Sequence, residues 1–567
     1  MTSRLLLRIL GVYFAVLVLA CVTVRSCVTL EIDPAKRGEV VATVWQRGVP
    51  IDRAVLASPT DHDAHLDQSL TKAGAQLVYE TVVAEGPILT STEVAFSISL
   101  VPARDGVKAT LGGKTAYMTP DELLARQGYD KGISVPQLGL LLGADVPLIL
   151  AMLAERLNTT VPKVLKDAKL RRIRVERSVP STPNAPPPPL RVTPANLSTD
   201  MVREVTLEAA RYLARGVGED GRFRYMVDAP TNKTLGGYDW PRHAGAVYFL
   251  AQAAALGHDS EIGAACLRAA SLLRNEALSH CAMTSCIGTD DVVEVGSSAL
   301  ATIAFVEIVQ TGLDPSYAPI VTELAHFLRA QQRADGEFMH EFDRKASKAI
   351  DVQFIYFSGE VTLALARAYR LTNNPADLAA SARGLAHLVG PAWSFFGNRY
   401  YFGEEHWTCQ ATFDLWDKSP DRAALDFCLR WQAYGRRMQY AEGETSFDAD
   451  GAFGVGPVVT PRLTPVASRC EAGIATLAAA RRAGIPSAEL VALDAQLRRS
   501  LALLIRNQLN GISSTGLTHL LADPAAVRGA MPGSAVDWEL RIDYAQHAGS
   551  AMIRWLELMS PEKARSL

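Results

Sequence analysis

The chain lacks the short signatures by which many catalytic sites can be read directly. Its 567 residues contain no Gly-rich phosphate loop, no G-x-S-x-G elbow and no kinase signature. No Cys-x-x-Cys or His-Glu-x-x-His string provides a ready metal site. There is no excess of one charge: 57 Lys and Arg stand against 60 Asp and Glu, for a net charge of -3. That balance gives no basic footprint for nucleic acid, and no run of like charge marks an interaction tail. Long apolar runs are also scarce; one is present, at the N-terminus.

That run extends from Ile9 to Val24, with Arg4 and Arg8 before it and Arg25 after it. Positive charge ahead of an apolar stretch is the pattern of a signal sequence or signal anchor. Val18-Leu19-Ala20-Cys21 also has the outline of a lipoprotein cleavage site, but Leu19 is larger than that site usually takes. The expectation for residues 1–28 is therefore an uncleaved membrane anchor ahead of a lipoprotein signal, with everything after Val28 facing the periplasm or an equivalent extracytoplasmic space. In such a compartment cysteines can oxidise. Of the eight, Cys281 and Cys286 are close enough in sequence for a small disulfide ring, whereas Cys266 and Cys428 fall on amphipathic helices as core residues.

Residues 37–176 read as an α+β domain. Glu39–Gln46, Ala75–Val83, Glu93–Val101 and Leu170–Glu176 have strand character, Thr119 and Asp145 open helices, and Asp105-Gly106 and Gly112-Gly113 read as turns. No catalytic motif falls here; in the alternative reading given below this domain contacts an envelope protein partner. Residues 177–197 contain Pro180-Ser181-Thr182-Pro183 and Pro186-Pro187-Pro188-Pro189. This is a proline-rich spacer expected to hold two domains apart.

Residues 198–560 carry helix after helix. Amphipathic ones begin near Thr199, Ser260, Pro315, Pro375, Pro420 and Pro486, most of them behind a capping residue or first-turn proline. Between them lie helices that are apolar nearly all round: Pro241–Ala255, Val295–Val309, Ile355–Leu371, His406–Trp416, Val466–Ala483 and Ile542–Met559. Alternation of six outer and six inner helices predicts an (α/α)6 toroid, with an open superhelical solenoid as the alternative. The fold class is mainly α. Two regularities support a repeat. Asp-Gly-x-Phe recurs at Asp220–Phe223, Asp335–Phe338 and Asp450–Phe453, and glycine recurs early in inner helices at Gly245, Gly359, Gly473 and Gly549. Glycine inside a helix costs roughly 1 kcal/mol against alanine, so its recurrence implies close helix approach.

The string Gln331-Gln332-Arg333-Ala334-Asp335-Gly336-Glu337-Phe338 resembles the repeats of terpenoid-cyclase and prenyltransferase toroids. The inner-helix starts resemble those of six-hairpin glycosidases and the acylglucosamine-epimerase group. The resemblance is architectural, covers about residues 198–560 and implies a ring with a central cavity. The acidic Asp-x-Asp-Asp motif of squalene-type cyclases is absent; Asp448-Ala449-Asp450-Gly451 is nearest and reads as a turn, which counts against cyclase chemistry.

In such a ring the inner helices run the same way, and their N-termini surround one mouth. Polar and aromatic residues cluster at these starts. The catalytic candidates are Asp239, His243, Glu360, Glu471, Asp543 and His547; the substrate-binding candidates are Tyr238, Trp240, Arg242, Tyr356, His406, Trp407, Arg469 and Tyr544. Aromatics that stack, carboxylates that bind hydroxyls and arginines that bind acidic groups suit a polysaccharide or other glycan. Hydrolysis would draw an acid and a base from Asp239, Glu360, Glu471 and Asp543. Epimerisation or β-elimination would use His243, His406 or His547, with Arg242 or Arg469 neutralising a carboxylate. The expectation is a membrane-tethered glycan-acting enzyme, glycoside hydrolase ahead of lyase or epimerase. The alternative is a non-catalytic envelope protein that binds glycan or scaffolds an assembly, with these residues as helix caps and buried links. No cofactor is favoured. By analogy with the zinc toroids of prenyltransferases and lanthionine cyclases, Cys409, Cys470 and His547 form a zinc alternative; otherwise the two cysteines are buried thiols or a disulfide joining two helices.

Overall fold

The computed structural model describes residues 38–61, 63–135, 140–180, 191–393, 406–445, 448–454, 459–511 and 517–560. The anchor expected over residues 1–28 and residues 181–190 of the proline-rich spacer lie outside them. Among the described residues no helix is long and apolar enough to cross a membrane.

The N-terminal part is built on one antiparallel sheet of β1 (Val40–Gln46), β2 (Val49–Leu56), β3 (Ala75–Pro87), β4 (Asp105–Leu111), β5 (Lys114–Met118) and β8 (Lys169–Ser178), in the order β2-β1-β3-β8-β4-β5. A hairpin of β6 (Tyr129–Val135) and β7 (Leu140–Ala144) stands beside it. The helices are α1 (Ala64–Leu70), α2 (Glu93–Ser99), α3 (Pro120–Ala125), α4 (Val146–Arg156) and α5 (Val161–Asp167).

Two local expectations are corrected here. Residues from Glu93, expected as a strand, form α2, because Thr92 Oγ1 caps the Ala95 N–H at 3.0 Å and the helix packs on β6 and β7. Asp105-Gly106 opens β4 rather than turning the chain, because the Asp105 carboxylate is buried and paired with Arg174 at 2.8 Å.

From Thr199 the chain is a double ring. The inner helices are α7 (Trp240–Gly257), α9 (Val295–Gln310), α11 (Phe357–Thr372), α13 (His406–Leu415), α15 (Leu463–Arg482) and α17 (Ile542–Met559). The outer helices are α6 (Thr199–Arg215), α8 (Ser260–Leu272), α10 (Ala318–Ala330), α12 (Pro375–Leu388), α14 (Arg422–Arg436) and α16 (Ser487–Asn507). Each inner helix packs on the next, and α17 packs back on α7, which closes the circle. The domain is an (α/α)6 toroid and not an open solenoid. The inner helices are apolar on every side because a second layer encloses them: α9 is buried continuously from Val295 to Val306.

The repeats have physical reasons. Phe223, Phe338 and Phe453 are buried, and Gly221, Gly336 and Gly451 take φ of +84, +95 and +94° while lying against the backbone carbonyls of Arg268, Arg383 and Arg499 on the following outer helices. The inner-helix glycines sit where helices meet: Gly359 against Trp407, Gly473 against Leu497, Gly549 against the Phe249 ring.

Cys281 and Cys286 form the expected disulfide. Cys428 is not a free core residue; it bonds Cys409 and ties α13 to α14. Nor are the two parts of the chain held apart. His519 Nε2 meets Asp121 Oδ2 at 2.7 Å with both side chains fully buried, and the Trp45 ring stands edge-on to His519 at 5.3 Å. Gly48 lies against the backbone of Pro230 and Leu520, so the sheet docks directly on the ring.

A methyl group at position 549 would overlap the Phe249 ring. Gly549→Ala is therefore expected to cost about 1–3 kcal/mol by overpacking. Gly484→Ala supplies a control for backbone strain away from the ring contacts: φ there is +74° and nothing lies within 4 Å of the added carbon. Urea midpoints compare them; a Gly549→Ala loss no larger than the Gly484→Ala loss would contradict tight closure at α7 and α17.

Candidate active site at one mouth of the ring

The inner helices all present their N-termini to the same rim, around a cavity of about 360 Å³. Their unpaired N–H groups and aligned dipoles favour carboxylates and polar ligands there. Asp239 caps α7 through the Arg242 N–H at 2.9 Å. Its carboxylate also accepts from Tyr225 Oη at 2.9 Å and pairs with the Arg242 guanidinium. Arg242 Nε reaches Asp543 on α17 at 3.4 Å, and Arg541 grips Asp543 through two bonds of 2.6 and 2.8 Å. Asp239 and Asp543 thus spend their oxygens on guanidinium, hydroxyl and amide donors.

The deepest contact is different in kind. His547 Nδ1 lies 2.8 Å from Glu471 Oε2, joining α17 to α15. Glu471 is fully buried, and its Oε1 has no hydrogen-bond partner among the described residues. The His406 ring, at the start of α13, stands edge-on to His547 with centroids 5.3 Å apart, and Trp407 packs at 4.2 Å from His406. One donor atom from each of His406, Glu471 and His547 falls within 4.8 Å of the others. Glu360, Tyr356 and Trp407 complete the expected residues that line the cavity, with Tyr356 40% exposed at its rim.

Several candidates lie elsewhere. His243 is buried behind the rim, with Nδ1 2.7 Å from Tyr238 Oη and Nε2 2.9 Å from the Ala269 carbonyl of α8. Burial pushes its pKa down to about 4, so it is a neutral structural group and not a cavity base. Tyr238 and Trp240 pack around it, with the Arg222 guanidinium over both rings. Arg469 stacks on Phe453, its guanidinium carbon 5.2 Å from the ring centre, and does not line the mouth. Tyr544 is buried between Arg462 and Arg541. The Cys409, Cys470 and His547 set does not assemble, since Cys409 is bonded to Cys428 and the Cys470 thiol faces the Leu497 carbonyl at 3.9 Å on the outer layer.

Other lining residues were not among the catalytic or substrate-binding candidates: Arg541, Gln546, Thr464, Ser468, Phe354, Phe357 and Glu294. Burial and the neighbouring Glu341 push the Glu294 carboxyl up, against the pull of Arg242. Thr464, Ser468 and Gln546 follow the helical spacing of their neighbours, which was a usable signal. Arg541 precedes its helix and had none. A larger hollow of about 720 Å³ opens at the other end of the ring, where Arg367 pairs with Asp414 at 3.0 Å and with Glu307 at 3.2 Å.

No family model matches the sequence, and no curated protein does. Among solved structures, a D-mannose isomerase is similar at 11% identity with a TM-score of 0.48, over 63% of this chain and 98% of that one. The cellobiose 2-epimerase of Bacillus thermoamylovorans gives 11%, 0.47, 64% and 100% for the same four quantities. The unsaturated glucuronyl hydrolase of Streptococcus agalactiae gives 12%, 0.45, 66% and 98%. These are likenesses of helix arrangement at low identity, and no activity passes from them to this chain.

The depressed His243 gives a pH signature. Unfolded, its pKa returns to about 6.5, so between roughly pH 6.5 and 4 the unfolded chain binds a proton that the folded chain refuses. The stability contributed by neutral His243 is complete above that window and is lost as pH falls through it. His243→Gln should cost stability at pH 7, with the deficit shrinking by on the order of 2 kcal/mol at pH 4.5. Urea unfolding of both proteins at the two pH values measures this; an equal deficit at both would show that His243 is not held neutral.

Proposed function

We propose that this protein is an enzyme that acts on a sugar or glycan at the ring mouth by moving a proton. One observation carries the reading: the buried Glu471 carboxylate binds His547 Nδ1 at 2.8 Å beside the His406 ring, at the wall of a polar cavity. A carboxylate on Nδ1 fixes the imidazole tautomer and orientation and stabilises the imidazolium, leaving Nε2 to take the substrate proton. His406 supplies a second imidazole within one ring width, suited to return a proton or to protonate a developing oxyanion. Trp407, Tyr356 and Phe357 provide ring faces for a sugar, and Glu360 accepts from hydroxyls.

This chemistry is abstraction of a proton beside a carbonyl or carboxylate, as in epimerisation, isomerisation or β-elimination. Hydrolysis, first in expectation from sequence, is now second. It needs one protonated carboxyl and one that activates water. Asp239 and Asp543 are engaged by arginines and Glu471 by His547, so three of its four expected carboxylates are already committed. The proposal keeps the N-terminal tether and the extracytoplasmic location; two disulfides in one chain favour an oxidising compartment.

The test is turnover of a panel of neutral, acidic and amino sugars and their oligomers in D2O. Solvent deuterium should appear at a carbon of the product or recovered substrate. Glu471→Gln and His547→Gln should each slow the exchange by about 10²–10⁴-fold. Turnover without deuterium at carbon, unchanged in both variants, would refute proton transfer by this pair.

A further inference from the structure

His406, Glu471 and His547 come from three successive inner helices, α13, α15 and α17, and their nearest donor atoms lie within 4.8 Å of one another. Two imidazoles and one carboxylate on rigid elements are a donor set for a borderline first-row dication such as Zn²⁺, with coordination positions left for water or substrate. Three further observations point the same way. The site is secluded: His406 is 2% exposed, Glu471 0% and the His547 side chain 13%. Glu471 Oε1 is a buried carboxylate oxygen with no hydrogen-bond partner among the described residues, a state that costs free energy unless a cation satisfies it. The cavity is lined by four carboxylates, Asp239, Glu294, Glu360 and Asp543, against two arginines, Arg242 and Arg541, an acidic excess that offsets the helix N-termini at the rim.

We propose that His406, Glu471 and His547 form a binding site for one transition-metal dication. The ion takes the place of the proton shared by His547 Nδ1 and Glu471 Oε2, and the imidazole proton moves to the other ring nitrogen. The site differs from the thiolate set that the sequence offered only as an alternative, and keeps only His547 from it. One consequence rests on the proton-transfer reading above: an ion in this position occupies the groups that would relay the substrate proton, so zinc slows sugar turnover.

The test uses the full chain, stripped with a chelator and titrated with Zn²⁺ against a chromophoric competitor with no sugar present. One zinc per chain is expected, weakened at least ~100-fold in Glu471→Gln and in His547→Gln, since each removes a ligand outright. Cys470→Ala should leave it unchanged. Co²⁺ in the same site should show ligand-field bands in the visible without the intense near-ultraviolet absorption of a thiolate ligand. Thermal melts by circular dichroism establish that the variants are folded. No stoichiometric zinc, unchanged affinity in both ligand variants, or loss in Cys470→Ala would overturn the site. Binding is read without sugar and deuterium exchange on chelator-stripped protein, so the failure of either proposal is visible without the other.

Discussion

Packing of the last inner helix on the first is the contact on which the site depends. Along most of the ring each inner helix meets a near neighbour in sequence, but α17 meets α7 across some three hundred residues. Gly245 lies beside Gln546 and Gly549 beside Phe249, and Ala244, Ala246, Ala548 and Ala551 on the same two helices are buried. Small residues let the backbones approach, and each interior glycine gives up roughly 1 kcal/mol of helix propensity in exchange. Once the circle closes, the first turns of the six inner helices share a rim. Glu471 and His547, 76 positions apart, then stand within a hydrogen bond.

The two ends of the ring treat charge differently. Toward the C-terminal ends of the inner helices, Arg367, Arg554, Glu307, Asp414, Gln410 and Tyr248 knit into a buried network that joins five inner helices through ion pairs and hydrogen bonds. Removing one member of such a network leaves a buried charge uncompensated, which is the costly outcome. At the N-terminal mouth the acidic groups exceed the basic ones, and helix N-termini offset part of that excess. The first network is closed on itself. The second leaves carboxylate oxygens and imidazoles beside a cavity, which is why chemistry is assigned to that end.

Much of this was readable before any coordinates. Inner and outer helices followed from apolar periodicity and first-turn prolines, and in the structure Ser198, Asp239 and Asn374 cap three of them by accepting a backbone N–H. The limits are shown best by two identical strings. His243-Ala244-Gly245 and His547-Ala548-Gly549 open the first and last inner helices, yet their imidazoles have opposite fates. His243 turns outward, fixed by Tyr238 from the preceding loop and by the Ala269 carbonyl of α8. His547 borders the cavity, fixed by Glu471 of the adjoining inner helix. The partners that decide between them, Ala269 for His243 and Glu471 for His547, are distant in sequence. The same holds for Arg469, whose position at a helix start suggested the mouth but whose stacking on Phe453 takes it away, and for Cys409, whose partner sits on an outer helix. The docking of the sheet on the ring through His519 and Asp121 was illegible for the same reason, since nothing local to either residue names the other.

The claim that Glu471 and His547 act as one unit can be measured directly by a double-mutant cycle on the rate of carbon-bound deuterium exchange, using Glu471→Gln, His547→Gln and the pair together. If the carboxylate works only through the imidazole, the double variant should be about as slow as the slower single variant, leaving a large coupling term. Losses that multiply, with no coupling between the two positions, would contradict the account.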